Sequence, residues 1–195
     1  MNTPSHAIIN MAILGTRESN IGLETVFIGG ILPDIPIYIF YVWAKFIARK
    51  PEKQIWREAY YHPFWQNTVA IFHSLPLAAL AAIVSHYCGW QEIKLMFLSM
   101  IVHCLCDFPL HNHDAHRHFF PFSNYRFISP ISYWDPRKNG ALGAFIELTL
   151  VLIATVPVFG LVESWFAKGL LIAINVAYAL GYLYLYRRGI TLRAL

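Results

Sequence analysis

Four stretches of this chain, 68–86, 93–110, 141–160 and 166–186, approach the roughly 20 apolar residues that a helix needs to cross a bilayer. A fifth, 21–46, is long enough but carries Pro33 and Asp34. Few folds can accommodate so much apolar chain in 195 residues, and a composition of 57% hydrophobic and 13% charged residues is far from soluble averages. The expectation is an all-α polytopic helical membrane protein with four to five transmembrane helices, in one domain over residues 1–195.

The segment MNTPSHAIINMAILG has no basic leading region and only a short apolar part, so a cleaved secretory signal is not expected. Cys88, Cys104 and Cys106 are too few and too odd in number for a disulfide framework and read as small apolar helix residues. The net charge of +4 raises the question of nucleic acid. If all five stretches span, however, twelve of the 15 basic residues share one side, among them Lys45, Arg57, Arg126 and Arg188. Only Arg17, Lys94 and Lys168 face the other. The positive-inside rule then makes the first side, with the C-terminus, cytoplasmic, and no nucleic-acid partner is expected. Trp43, Trp65, Trp90 and Trp165 fall near span ends, where interfacial anchors sit.

No repeat, low-complexity tract or second domain is visible. The connection from 111 to 140 is long, and its aromatic content argues for order. At the N-terminus, Thr3, Pro4 and Ser5 can start a helix over about 6–14, and Gly29, Gly30 and Pro33 interrupt the next apolar run. Either 21–46 is one broken span, or a short hairpin brings His6 and Asp34 to the same end with 35–48 in the interface.

Ionisable side chains inside apolar spans are costly and are functional candidates by default. Here they are Glu24, Asp34, His73, His103, Asp107 and Glu147. At about 1.5 Å per residue, His73, His103, Asp107 and Glu147 lie roughly 5 to 10 Å from the cytoplasmic ends of three separate spans. His103 and Asp107 are spaced i, i+4 and share a helical face. Pro109 ends or kinks that helix, turning the run HNHDAHRH, with His111, His113, Asp114, His116 and His118, back over the same end. Imidazole with carboxylate suits zinc, manganese or iron better than calcium or magnesium. Cys104 and Cys106 point off the face. Each feature alone has a plainer reading: a hydrogen-bonded core histidine for His73, an ion pair for His103 and Asp107, a solvated loop for the later histidines, and helix packing for Glu24 and Glu147. Their agreement in depth is the argument for a metal site.

The order His6, GGILPD ending at Asp34, FHS with His73 and HCLCD with His103 and Asp107 resembles the membrane-bound metal-dependent hydrolase family of bacteria, over about residues 3–140. DAHRHFFPFSNYRFISPISYWDP looks like a hallmark of one branch of that family. The ligand order is also similar to that of zinc-dependent phospholipase C and related single-strand nucleases. The resemblance implies His6, Asp34, His73, His103 and Asp107 as ligands, and it favours the hairpin, because a single span would leave His6 on the far side. His111 is counted with them. The turn reads PDIP without a second acid, and no second HxxxD pair is present, so one or two ions are expected, zinc first, with manganese or iron as alternatives. The implied function is hydrolysis of a phosphoester or lipid-linked substrate by a metal-activated water in the bacterial plasma membrane. Asp34 or Asp107 would serve as general base, with Arg117 or Arg126 steadying a phosphate. The rivals are a structural metal or haem site and a metal or proton transporter.

Overall fold

Helix α1 (Thr3–Leu14) and helix α2 (Asn20–Ile31) form an antiparallel hairpin, with Thr3 against Asp34, Ala7 against Gly30 and Gly15 against Leu23. A computed structural model describes residues 1–16 and 20–193; Arg17, assigned above to the far side, lies outside them. After α2 the chain tightens into a 3-10 turn at Leu32–Asp34 and continues as α3 (Ile35–Val42). Then come α4 (Glu52–Arg57), α5 (Pro63–Phe72), α6 (Leu75–Tyr87), α7 (Gln91–Asp107), α8 (Gly140–Leu161) and α9 (Trp165–Arg193). The described residues are all-helical, as expected.

Three helical runs are long and apolar enough to cross a membrane: Gly22–Ile47, Gly140–Leu161 and Trp165–Gly189. Helices α5 and α6, bent by 43° at their junction, make a fourth if counted as one span. The expected span at 93–110 is the 17-residue α7, which at 1.5 Å per residue is about 26 Å long, just short of the ~30 Å hydrocarbon core. The two readings of the N-terminus are not exclusive: the hairpin brings Asp34 to the N-terminal end of α1, and Gly22–Ile47 is one 26-residue run.

Gly29 and Gly30 do not break α2, contrary to the sequence expectation. They let it approach its neighbours. A Cβ on Gly29 would lie 2.3 Å from Met96 O of α7, and one on Gly30 would lie 3.0 Å from Ala7 Cα of α1. The tightening comes instead at Pro33, whose missing N–H cannot continue the α-helical ladder.

Helix α1 is buried on all sides from Ser5 to Met11, so its polar residues must find partners inside the protein. Asn10 Nδ2 donates to Ser99 O and Oγ at 2.7 and 2.8 Å, and Ser99 Oγ donates to Val26 O at 2.6 Å, tying α1, α7 and α2 together. Glu147 of α8, 2% exposed, accepts from Asn2 N at 2.7 Å and from Ser5 Oγ at 2.6 Å. A carboxylate at the first turn of α1 also complements the helix dipole. Glu147→Ala should therefore destabilise the fold by about 2–3 kcal/mol, the cost of leaving buried donors unpaired. A melt in detergent checks this; an unchanged midpoint would mean that water replaces the carboxylate.

The long connection after α7 is ordered and lies over the end of that helix. Ser129 N donates to His111 O and Tyr133 N to Leu110 O, while Leu75 N reaches His118 O at 2.9 Å. Arg117 and Arg126 fasten the same loop through Gln66 O and Gln66 Oε1, each at 2.7 Å.

Candidate metal centre

Five histidines and two aspartates converge where α1, α7, the Leu32–Asp34 turn, the α5–α6 junction and the long connection meet. His103 and Asp107 stand one turn apart on α7, and both are buried. His6 arrives from α1 and stacks on the His103 ring at 3.6 Å between centroids. Asp34 projects from the 3-10 turn. His73 ends α5, and Ser74 caps α6 by accepting from Leu77 N, so the bend itself presents the imidazole.

The contacts that His6, His73 and His103 make with the two carboxylates are close but are not ordinary hydrogen bonds. His103 Nε2 is 3.7 Å from Asp34 Oδ1 and 3.4 Å from Asp107 Oδ2. His73 Nε2 is 3.5 Å from Asp34 Oδ1 and 3.9 Å from Asp107 Oδ2. His6 Nε2 is 3.0 Å from Asp107 Oδ1 but badly aligned for a hydrogen bond, and the Nε2 atoms of His6, His73 and His103 all lack a hydrogen-bond partner despite full burial. Ligand atoms held 2.0–2.1 Å from a tetrahedral ion lie about 3.3 Å from one another, which falls within the 3.0–3.9 Å spanned by these contacts. A buried imidazole nitrogen without a partner costs on the order of 1–3 kcal/mol, and three at one point call for a shared partner.

In His103 and His73 the opposite ring nitrogen fixes the orientation, whereas His6 Nδ1 has no partner and that ring is held by stacking on His103. His103 Nδ1 donates to Gly30 O at 2.8 Å and His73 Nδ1 donates to Val69 O at 3.0 Å. A carbonyl can only accept, so in a neutral ring the lone pair falls on Nε2, facing the carboxylates. Metal-binding histidines are commonly oriented in this way. Ion pairs to Asp34 and Asp107 come from histidines and, for Asp107, also from the Met1 amino group at 2.8 Å. Two carboxylates this deeply buried need positive charge nearby.

Two groups have ligand atoms within 4.8 Å of one another and could hold a metal ion: His6, Asp34 and His103, and His73, Asp107 and His116. Asp107 touches both, with Oδ1 toward His6 and Oδ2 toward His103 and His73. All five residues that the resemblance implied are thus brought together. His111 lies outside both groups: Nε2 meets Asp107 Oδ1 and Nδ1 meets Asp114 Oδ2, each at 3.0 Å. Burial opposes ionisation of Asp114, but the hydrogen bond and charge of His111 hold its carboxyl down to about 2. Burial likewise opposes the His111 cation, while Asp107 and Asp114 raise its pKa.

His116 is the member that sequence reasoning did not single out. Its ring stacks on His73 at 3.9 Å. Burial, with His73 and His111 beside it, pushes its pKa well below the ordinary value, so the ring is neutral with a lone pair to offer. His118, held down to about 4 chiefly by burial, contacts His73 O through Nδ1. The only signal was the density of histidines in HNHDAHRH. Which one turns inward depends on the path of an irregular loop.

Other candidates lie elsewhere. His113 packs on Trp134, His62 caps α5 by accepting from Phe64 N, and Cys104 and Cys106 are free thiols in neither group. Arg117 and Arg126 were expected to steady a phosphate, but their guanidinium groups are engaged in fastening the loop. No family model, characterised protein sequence or solved structure matches this chain.

Proposed function

We propose that the cluster holds one or two divalent ions, zinc first and manganese or iron as alternatives, and that the chain is a membrane-bound hydrolase of a phosphoester or lipid-linked substrate. The observation that carries this reading is the set of unpartnered Nε2 atoms converging on two buried carboxylates. The residue order shared with membrane-bound metal-dependent hydrolases points the same way. A bound ion would supply Lewis acidity and bring the pKa of a water toward ~7. Each group supplies three candidate ligands, the number usual in catalytic sites, where a closed structural shell has four.

Asp34 is the better placed of the two acids to act as general base, because its side chain is 12% exposed against 1% for Asp107. It would take the proton from the attacking water and deliver it to the leaving alcohol as the phosphorus–oxygen ester bond breaks. Asp107, touching members of both groups, would hold the cluster together. The membrane reading rests on the three apolar runs. A cytoplasmic C-terminus is the orientation that the basic residues favour if five segments span, and the bacterial plasma membrane is what the resemblance to bacterial membrane-bound hydrolases implies.

Turnover of a chromogenic phosphodiester by the detergent-purified protein tests the proposal. Activity should vanish on chelation, return with zinc or manganese, and fall about 10²-fold or more in Asp34→Asn, the usual worth of a positioned general base. Hydrolysis that ignores chelation, or that is equal in the variant, would overturn it.

A further inference from the structure

A groove of about 930 Å³ runs along α1 between α2, α3 and α9. That is within the usual size of a small-molecule site. On α1 its wall extends from Thr3 to Met11, about 12 Å at 1.5 Å per residue, close to half of the ~30 Å hydrocarbon core. The lining is apolar along most of this length, with Ile8, Ile28 and Leu170 typical. Two of its walls belong to the runs Gly22–Ile47 and Trp165–Gly189, each apolar enough to cross a membrane. With these two runs across a bilayer, the groove would open to lipid.

The two ends differ. At one, Thr3 Oγ1 donates to Asp34 Oδ2 at 2.5 Å and lies 2.8 Å from Tyr38 OH, so the groove ends on two hydroxyls, the first of them bonded to a carboxylate of the candidate metal centre. At the other, beside the α8–α9 connection, are the exposed carboxylates Glu24 and Glu163. Glu24 and Glu163 repel an anionic headgroup from the second end, whereas at the first the ion proposed for the cluster would offset Asp34 and attract it.

We infer that this groove seats one hydrocarbon chain of a phosphoester lipid, with the phosphate end at Thr3 and Tyr38 against Asp34. The assignment rests on the metal-centre reading and names the substrate class for it: a membrane lipid presented chain-first, in place of a water-soluble ester.

Binding, which needs no turnover, is the test. Native mass spectrometry of the detergent-purified protein would compare lysophosphatidic acid with glycerol phosphate, its chain-free counterpart. The proteins would be wild type, Ile28→Trp, Leu170→Trp and His103→Ala. Ile28 and Leu170 are 46% and 50% exposed, so tryptophan fills the groove without disturbing the core. The expected result is a single saturable lysophosphatidic acid adduct on wild type, at least tenfold weaker in both tryptophan variants, and no glycerol phosphate adduct. His103→Ala should keep the adduct within a few-fold. A ladder of adducts alike in all proteins would mean annular lipid and would overturn the inference. So would a dimer that dissociates in Ile28→Trp, since a second copy would then occupy the groove. A single chain-dependent adduct on a wild type that binds no metal would instead contradict the metal centre and leave the groove standing.

Discussion

Stripping the metal from the wild-type protein is expected to lower its melting temperature by about 5–10 °C, while the same treatment leaves Asp107→Asn nearly unchanged. A ligand present at a hundred times its dissociation constant stabilises the folded state by about 2.7 kcal/mol, and each kcal/mol is worth about 2–4 °C in a chain of this size. Without an ion, Asp34 and Asp107 stay buried with no metal cation to offset them, and the Nε2 atoms of His6, His73 and His103 have no partner. Asparagine at 107 removes one of the two charges and the residue that touches both groups, so the variant has little metal to lose. Melts in detergent with and without a chelator, repeated after zinc is restored, measure the difference. Equal shifts in both proteins would mean that chelation acts elsewhere.

The second large effect lies in the scaffold. Gly29→Val should destabilise the protein by about 3 kcal/mol or more, at the upper end of overpacking costs, and should lose metal with it. The new Cβ would sit 2.3 Å from Met96 O, a backbone atom that cannot rotate away, so α2 and α7 must separate. That moves the Gly30 carbonyl away from His103 Nδ1 and releases the ring from its orientation. Gly169→Ala on α9, with nothing within 4 Å of the added Cβ, is the control. It should be neutral or stabilising by up to ~1 kcal/mol, as alanine is in an open helix position. Similar melting temperatures for the two variants would show that the α2–α7 approach is not needed.

Helices α8 and α9 were legible in the sequence because each carries a long apolar run that needs no partner to reveal it. Helix α7 runs Gln91–Asp107 where a span over 93–110 was expected, because Pro109 ends it early. His103 and Asp107 could be paired from the i, i+4 rule alone. His6 and Asp34 are 28 positions apart and came together only through the hairpin that the family resemblance favoured. Gly29 and Gly30 read as breaks because a sequence shows the missing side chain but not the neighbour that needs the space. Arg117, Arg126 and His116 were misjudged or missed for a common reason: each takes its role from the path of an irregular loop held by hydrogen bonds to α5, α6 and the residues after α7, and no periodicity encodes such a path.

Elemental mass spectrometry of the detergent-purified protein, wild type beside His103→Ala and Asp107→Ala, tests the metal centre most directly. One or two equivalents of zinc, manganese or iron in the wild type, lost in both variants while they remain folded, is the predicted result. A metal-free wild type, or equal metal in all three proteins, would contradict it and leave the buried histidines and aspartates with a structural role alone.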